Sequence, residues 1–470
     1  MPMMSRQRLW LAVAALMLTE LLSAFEASMV YVSLPAISAS IGSIEKVGWL
    51  VTAFVIMQSG TAAVAGRLGD MFGRRRVLIV VLALCAVGSA ISAFHEEFGW
   101  IIAGRALQGV SGAVMPLSYG IVREISPESE APFWVGVLSA TLSGGAAIAF
   151  LMGGWIVQNY DWHTIFYVTL ALPLLTIPVI LAFVPAGPAT PPEGKVDLVG
   201  GLLFVPAVIG VLLALGNGSQ MGWTSPLFLG SLGASLALLG FWVAYELRHP
   251  QPLFDIRLLL NRQILLANGI IALSATGQMQ VSLVTMMLMQ QKGGPGLGLS
   301  ATEAAVFNLP AMIVGALTAA GSGWLAARRS PRLATLLGAL TLTFGWSYMV
   351  FFHGDLWQFA IGMVLVSIGG GFLMSSVPNL VLEAAPLERS SELTGMTFVV
   401  RGIFMGIGAQ ITVALLASMG IPDVASGRIV PSNDAYLLTF AFIALLNLIM
   451  IFVAIALPRA RRKQVAVAPA

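Results

Sequence analysis

Apolar residues along this chain come in runs of about twenty, separated by short polar breaks. An α-helix needs about 20 such residues to cross the roughly 30 Å hydrocarbon core of a bilayer. The pattern therefore predicts fourteen membrane-spanning helices joined mostly by short loops. Their predicted bounds are residues 9–39, 47–66, 77–95, 99–121, 131–156, 164–185, 198–217, 225–246, 264–290, 301–327, 333–353, 356–381, 394–419 and 434–458.

Composition agrees with a membrane protein. The chain is 58% hydrophobic and 10% charged, with a mean hydropathy of +0.90. A water-soluble globule is excluded, because it would need a far more polar surface. The first apolar stretch continues past Pro35, so we interpret it as a span rather than as a cleaved signal peptide. Cys85 is the only cysteine and the four histidines are scattered, so we expect no internal disulfide, no metal and no cofactor.

The basic residues predict the orientation. With the N-terminus inside the cell, nineteen of the 24 Lys and Arg residues fall in cytoplasmic segments and three fall outside. The remaining two, Arg105 and Arg401, lie within spans. This asymmetry predicts a multi-pass protein of the cytoplasmic (inner) membrane with both termini in the cytoplasm. The net positive charge then reflects topology, and no nucleic-acid partner is expected.

A repeat divides the chain. Residues 66–75 (GRLGDMFGRR) align without a gap on residues 323–332 (GWLAARRSPR), which places Arg75 on Arg332. Eight spans separate the two copies, so spans 1–6 recur as spans 9–14. The Pro-rich stretch 185–197 is predicted to be a semi-extended cytoplasmic linker. We predict a six-helix N-terminal bundle (1–185), the linker with two inserted helices (186–262) and a six-helix C-terminal bundle (263–470), with substrate between the bundles.

Glu26 lies at the centre of the first span. A charged side chain there disfavours insertion by about 2.5–3.5 kcal/mol, so an acid at this depth rarely lacks a role. We expect Glu26 to face a water-filled cavity and to carry a proton, the alternative being a hydrogen-bonded structural acid. Glu20 points about 120° away around the same helix. It is predicted to take part in coupling or to be the structural partner of a basic group.

Four motifs form a set. In span 1 the sequence is FEASMVYVSLP (25–35), and span 5 ends in Gly153-Gly154-Trp155, followed by Trp162 and Phe166. The segment after span 2 carries Gly66, Asp70, Gly73, Arg74 and Arg75, and span 4 carries Arg105, Gln108, Gly109 and Gly112. Over almost the whole chain, this set resembles the major facilitator superfamily, specifically its fourteen-span drug:proton antiporter branch.

The resemblance implies an all-α membrane protein with two bundles and fourteen transmembrane helices, arranged 6 + 2 + 6. It implies that Asp70 belongs to a gate and that Arg105 supports proton coupling or substrate charge. From the residues alone, Asp70 can cap span 3 or pair with a neighbouring arginine, or it is a static loop ion pair. Arg105 can instead be a structural pin. Because Ala327 replaces the acid in the second half, the gate should be one-sided.

Span 5 departs from the family pattern, in which G-x-x-x-G-P-x-x-G-G is usual. Here Gly145 is followed by Ala149 and Phe150, so the proline is absent before Gly153 and Gly154. Without that proline we predict a straighter span, with Phe150 as a steric plug in place of a kink.

Polar and adaptable side chains in other spans are candidates for the substrate cavity. Arg401 is a second intramembrane cation that can take part in transport. Span 9 carries glutamines and methionines suited to an adaptable lining. The candidate lining residues are Phe54, Gln58, Gln278 and Met286.

These features predict a transporter that exports amphipathic small molecules or drugs by admitting protons, acting as a monomer in the lipid bilayer. No phosphate-binding G-x-x-x-x-G-K-[ST] motif occurs, so we expect an ion gradient as the energy source. The alternatives are an importer or exporter of one metabolite or lipid without antiport, and, in another class, a membrane-embedded sensor or scaffold. An enzyme is not expected, because no nucleophile–base or metal constellation is visible.

Overall fold

The computed structural model describes residues 5–41, 44–187, 197–250, 252–291, 293, 295–422 and 429–458. Most of the predicted linker lies outside these residues, as do Lys195, Lys292, Arg428 and the basic C-terminal segment. The first half consists of seven α-helices and one 3₁₀ turn in the described chain. These are α1 (Arg6–Ile41), α2 (Ile44–Phe72), α3 (Arg74–Phe94), α4 (Phe98–Gln108), the 3₁₀ turn Gly109–Ala113, α5 (Val114–Ile125), α6 (Ala131–Asn159) and α7 (Thr164–Phe183).

The remaining elements are also helical apart from one short hairpin, which the apolar pattern did not predict. They are α8 (Leu198–Met221), α9 (Pro226–Arg248), α10 (Ile256–Leu259), α11 (Arg262–Thr276), the 3₁₀ turn Gln278–Gln280, α12 (Val281–Gln290), α13 (Ala301–Arg328), α14 (Pro331–Phe351), α15 (Leu356–Ala384), the 3₁₀ turn Leu387–Arg389, α16 (Ser390–Ser418), the antiparallel strands β1 (Gly420–Pro422) and β2 (Ile429–Pro431), and α17 (Asn433–Ala456).

Thirteen segments among the described residues are long and apolar enough to cross a membrane. The predicted fourth span, 99–121, falls instead on α4, the 3₁₀ turn and α5, none of which is long enough alone. The turn contains Gly109 and Gly112, whose backbones lie against α2: a Cβ on Gly112 would be 2.3 Å from the Gln58 carbonyl oxygen. The count of fourteen therefore stays a prediction.

The apolar core is divided between the two halves of the chain. One large buried cluster is built from residues between 264 and 457, and two others are built almost entirely from residues between 9 and 184. The halves meet where small residues allow close approach. Gly136 of α6 lies against Gly323 of α13, and Gly395 of α16 lies against Ala62 of α2.

The inserted helices pack on the outside of the α2–α16 contact. Phe204 and Leu212 of α8 share a buried cluster with Ile56 of α2 and with Met396 and Val399 of α16. The insertion therefore covers a contact between the two halves and does not stand apart from them.

The predicted repeat has a matching contact in each half. Arg75, at the start of α3, donates to the Leu181 carbonyl near the end of α7, 2.6 Å away. Arg332, at the start of α14, donates to the Ile455 carbonyl near the end of α17, 2.5 Å away. Each arginine thus serves a carbonyl in the last turn of a helix, where the backbone acceptors lack partners within the helix.

The orientation can be tested with reporter fusions. Pro185 follows α7, and Gly222 lies between α8 and α9, so the predicted topology places them on opposite sides of the membrane. A reporter active only outside the cell should be silent when fused after Pro185 and active when fused after Gly222. The reverse pattern would refute the predicted orientation.

Candidate functional site

Asp70 joins the two halves at one end of the molecule. It lies in the last turns of α2, where its carboxylate accepts hydrogen bonds from the backbone amides of Ser391 (3.3 Å) and Glu392 (2.8 Å). These amides belong to the first turn of α16, whose N–H groups have no partners within the helix. A negative charge at that position also interacts favourably with the helix dipole.

Arg74 is the centre of this contact and is almost fully buried. Its Nη2 lies 2.7 Å from Asp70 and donates to the hydroxyl of Ser390, 2.8 Å away. Its Nη1 pairs with Glu124 of α5, and a further bond joins Nη2 to the Leu387 carbonyl at 2.5 Å. One guanidinium thus connects helices of the first half with the segment that begins α16.

Glu392 adds a second ion-pair network, which the sequence analysis missed. Its carboxylate lies 3.5 Å from Arg67 of α2 and 3.3 Å from Arg389. It also accepts the amide hydrogen of Asp255, 2.9 Å away, from the segment that follows the inserted helices. An acid in the first turn of a helix was the available signal. Below, "the latch" means Asp70, Arg74, Arg67 and Glu392.

The structure corrects two expectations about this motif. Residues 66–72 are helical and belong to α2, so only Gly73, with φ of 98°, forms the turn before α3. Asp70 does pair with a neighbouring arginine, as predicted, but it caps α16 and not the third span. The N-cap residue of α3 is Gly73, so no side chain caps the start of that helix. Because α2 continues, Asp70 points across the contact between the halves.

Gly66 allows α2 and α16 to touch at the latch. A Cβ there would lie 2.3 Å from the Ser391 carbonyl oxygen, so Gly66→Ala should force the helices apart. Overpacking should destabilise the closed conformation by about 1–3 kcal/mol. Ser143 lines the cavity between the halves, so maleimide labelling of Ser143→Cys from the latch end should rise on the order of 10-fold. The parent for this assay carries Cys85→Ala. Gly321→Ala is the matched control, since a Cβ at Gly321 meets no atom within 4 Å; equal labelling in the two variants would contradict the prediction.

A polar cluster lies inside the first half, around Arg105. The guanidinium Nη1 donates to the backbone carbonyl of Glu26 (2.9 Å) and to the side-chain oxygen of Gln108 (2.8 Å). Its Nε donates to the Leu50 carbonyl at 3.2 Å, and its Cζ lies 4.3 Å from the centroid of the Phe54 ring. Arg105 is therefore well supplied with acceptors inside the protein.

Gln108 extends this cluster towards α3 and α7. Its amide nitrogen donates to the hydroxyls of Ser89 (2.7 Å) and Thr169 (3.3 Å). Arg105 and Gln108 of the span-4 motif thus belong to one hydrogen-bond network. Gly109, the next residue, sits against the backbone of α2.

The Glu26 carboxylate is fully buried beside this network. In the described part of the chain, neither of its oxygens has a hydrogen-bond partner, and the side chains of Ser111 and Cys85 lie beside it. The structure does bring Glu26 and Arg105 together, through the Glu26 backbone. Glu20 is equally buried, with no hydrogen-bond partner for its carboxylate among the described residues.

A cavity of about 390 Å³ lies between the halves, and Glu26 does not line it. The expectation that Glu26 faces a water-filled cavity is therefore wrong for this conformation, because its face of α1 turns into the first bundle. The residues that line the cavity come from α5, α6, α11 to α13, α15 and α16. They include Met115, Ser143, Ser274, Gln278, Met312, Ser367, Met374, Thr397, Phe398, Arg401 and Met405.

Of the predicted lining residues, Gln278 is part of the cavity wall and three others are not. Phe54 is buried against Arg105, and the Gln58 backbone contacts Gly112. Met286 packs against the apolar core of the second half. The composition of a helix does not specify which of its faces turns towards the other bundle, so these assignments failed. Arg401, predicted as an intramembrane cation, does line the cavity.

Comparison with known proteins decides the family. Residues 16–409 match the Major Facilitator Superfamily. The chain belongs to this superfamily. It is therefore a multi-pass membrane transporter by family and fold, rather than an enzyme.

Individual superfamily members show how far the similarity extends. The methyl viologen resistance protein SmvA of Salmonella typhimurium is 27% identical over 420 residues, 87% of this chain and 83% of SmvA. An Acurin A biosynthesis cluster MFS-type transporter of Aspergillus aculeatus is 32% identical over 268 residues, which are 54% of this chain and about half (48%) of that protein. The solved proton:xylose symporter XylE shares the fold, with a TM-score of 0.66 over 95% of this chain and 96% of XylE, at 12% identity.

The span-5 departure from the superfamily pattern has a simple local structure. Helix α6 runs without interruption through Ala149 and Phe150. Two of its glycines pack on α1: Gly145 against Leu21 and Ala24, and Gly153 against the Met29 backbone. Gly154 follows in the same helix. Phe150 is half-buried and is not among the described residues that line the cavity.

The plug hypothesis for Phe150 therefore stays a prediction. Phe150→Ala should raise the passive proton leak, because it opens a void among small residues. The measurement is pH decay in protein-containing liposomes without substrate. Phe344→Ala is the control, since Phe344 is a 61% exposed ring in the second half. A Phe150→Ala leak no larger than that of the parent would end the plug hypothesis.

Proposed function

We propose that this superfamily transporter exports amphipathic small molecules across the cytoplasmic membrane as a monomer, driven by protons entering the cell. The observation that carries the proposal is the Glu26 carboxyl group. It is buried in a membrane-spanning helix, without a hydrogen-bond partner among the described residues.

An ionised carboxylate in that position would be buried without a hydrogen bond from any described residue, which is strongly unfavourable. The neutral, protonated acid fits the site far better, so we infer that Glu26 holds a proton in this conformation. Arg105 lies on the neighbouring helix and can stabilise the ionised form if the helices shift. Such a pair would release and take up a proton as the conformation changes.

Alternating access would couple that proton to substrate. We infer that the closed latch, at the α2–α16 contact, separates the cavity from the predicted cytoplasmic side. Opening that side requires Asp70 to leave the α16 amides and Arg67 to leave Glu392. Substrate and proton are coupled if each binds one of the two conformations more tightly than the other. Binding of one ligand then shifts the conformation and changes the binding of the other.

The name of the SmvA relative, a resistance protein, agrees with export of foreign compounds. The cavity agrees with small amphipathic molecules in general, because its volume of about 390 Å³ lies within the roughly 300–1,000 Å³ typical of ligand sites. Methionines and an aromatic ring provide an adaptable apolar surface.

The experiment uses the full chain in liposomes with an imposed pH gradient. The panel contains an aromatic sulfonate, an aromatic alcohol and an aromatic quaternary ammonium compound. At least one should be transported against its gradient, and a protonophore should abolish that transport. Transport that a pH gradient neither drives nor accelerates would reject proton coupling.

A further inference from the structure

Arg401 differs from the other intramembrane arginine in having no oxygen acceptor among the described residues. Arg105 has three oxygen acceptors and a ring. Arg401 makes no hydrogen bond or ion pair within the described chain, and its Cζ lies 5.6 Å from the centroid of the Phe398 ring. The guanidinium remains charged at any physiological pH.

The surroundings of Arg401 do not balance that charge. Among the described residues that line the cavity, Arg401 is the one charged side chain, and no carboxylate accompanies it. Glu20 and Glu26 are buried in the first half and do not reach the cavity wall. A cationic group at membrane depth is normally paired or turned towards water. The one charge on the described cavity wall is therefore positive, and a positive charge attracts anions and repels cations.

The remaining lining residues suit an aromatic or apolar body attached to the anion. Phe398 lies one helical turn before Arg401 on α16, and Met374 and Met405 contribute polarisable side chains nearby on the wall. Ser274 and Gln278 offer polar contacts on the same wall. A planar body can stack on the ring while its acidic group accepts two parallel hydrogen bonds from the guanidinium.

We propose that the cavity binds amphipathic organic anions, with the Arg401 guanidinium as the counter-ion of a substrate sulfonate or carboxylate. This inference rests on the proposed function and specifies its substrate class. It places Arg401 in substrate binding and leaves Arg105 in the proton cluster of the first half, although both were intramembrane cations in the sequence.

The test is equilibrium binding by calorimetry to the purified full chain, without any pH gradient. The probes are naphthalenesulfonate, naphthylmethanol and trimethyl(naphthylmethyl)ammonium, which share one ring system. The parent should bind the sulfonate most tightly and the ammonium compound least. Arg401→Gln should weaken sulfonate binding about 10- to 100-fold, the loss expected for a charge-assisted hydrogen bond, and leave the alcohol unchanged.

Arg401→Lys keeps the charge and should keep the order of the three affinities. Arg123→Gln is the control, because Arg123 lies outside the cavity and donates to the Ala385 carbonyl. Tightest binding of the ammonium compound by the parent would overturn the proposal, as would an equal loss of all three probes in Arg401→Gln. Because no gradient is used, either result leaves proton-driven export to be judged by its own assay.

Discussion

Glu26→Gln is expected to abolish transport driven by a pH gradient while the protein stays folded and inserted. Glutamine keeps the size of the side chain but cannot exchange a proton. The Glu26 carboxylate oxygens make no hydrogen bond in the described chain, so no side-chain hydrogen bond seen in this conformation is lost. Exchange of substrate between equal pools should persist, because it needs no net proton movement. Both rates are measured in the same liposome preparation.

Two further variants locate the effect. Glu97→Gln neutralises an exposed carboxylate between α3 and α4 and should behave like the parent. Glu20→Gln tests the other buried acid of α1. If Glu26→Gln transports as the parent does under a pH gradient, Glu26 is not the proton carrier, and Glu20 becomes the next candidate.

Asp70→Asn is expected to open the latch end. The substitution removes the charge that binds Arg74 and weakens the acceptor of the Glu392 amide. Hydrogen bonds to a charged group contribute about 1.5–3 kcal/mol, so the open population should rise about 10- to 100-fold. The readout is labelling of Ser143→Cys, on the cavity wall, by an impermeant maleimide added from the latch end.

The background for this labelling is Cys85→Ala, which removes the only native thiol. Labelling from the opposite end should fall as the open population rises at the latch end, and Glu97→Gln should change neither rate. Unchanged labelling from both ends in Asp70→Asn would reduce Asp70 to a static cap of α16.

Much of the architecture follows from local pattern. Long apolar runs of about twenty residues specify helices in a bilayer, because a helix satisfies all backbone hydrogen bonds within its own segment. The aligned Arg75 and Arg332 even make equivalent contacts in the two halves. The break in the predicted fourth span was not foreseen. There the glycines of the 3₁₀ turn fit against the α2 backbone, and that contact depends on a partner distant in sequence.

The candidate sites were likewise predictable where they depend on local spacing and unpredictable where they depend on contacts distant in sequence. Arg105 and Gln108 were predicted together as part of the span-4 motif, and the structure joins them by a hydrogen bond. The bond from Arg105 to the Glu26 backbone was not predicted. The partner of Asp70 could not be read in this way, because the start of α16 is more than 300 residues away. The roles of the two arginines were also indistinguishable in sequence. Their difference lies in which acceptors the fold supplies, three for Arg105 and none within the described chain for Arg401.

The most direct test of proton-driven export is proton movement caused by substrate alone. Liposomes containing the protein and a trapped pH indicator receive a gradient of whichever charged naphthyl probe binds more tightly, with equal pH on both sides. We predict protons moving opposite to the probe in the parent and no movement in Glu26→Gln. Protons moving in the same direction as the probe, or probe flux without proton flux, would contradict antiport through Glu26.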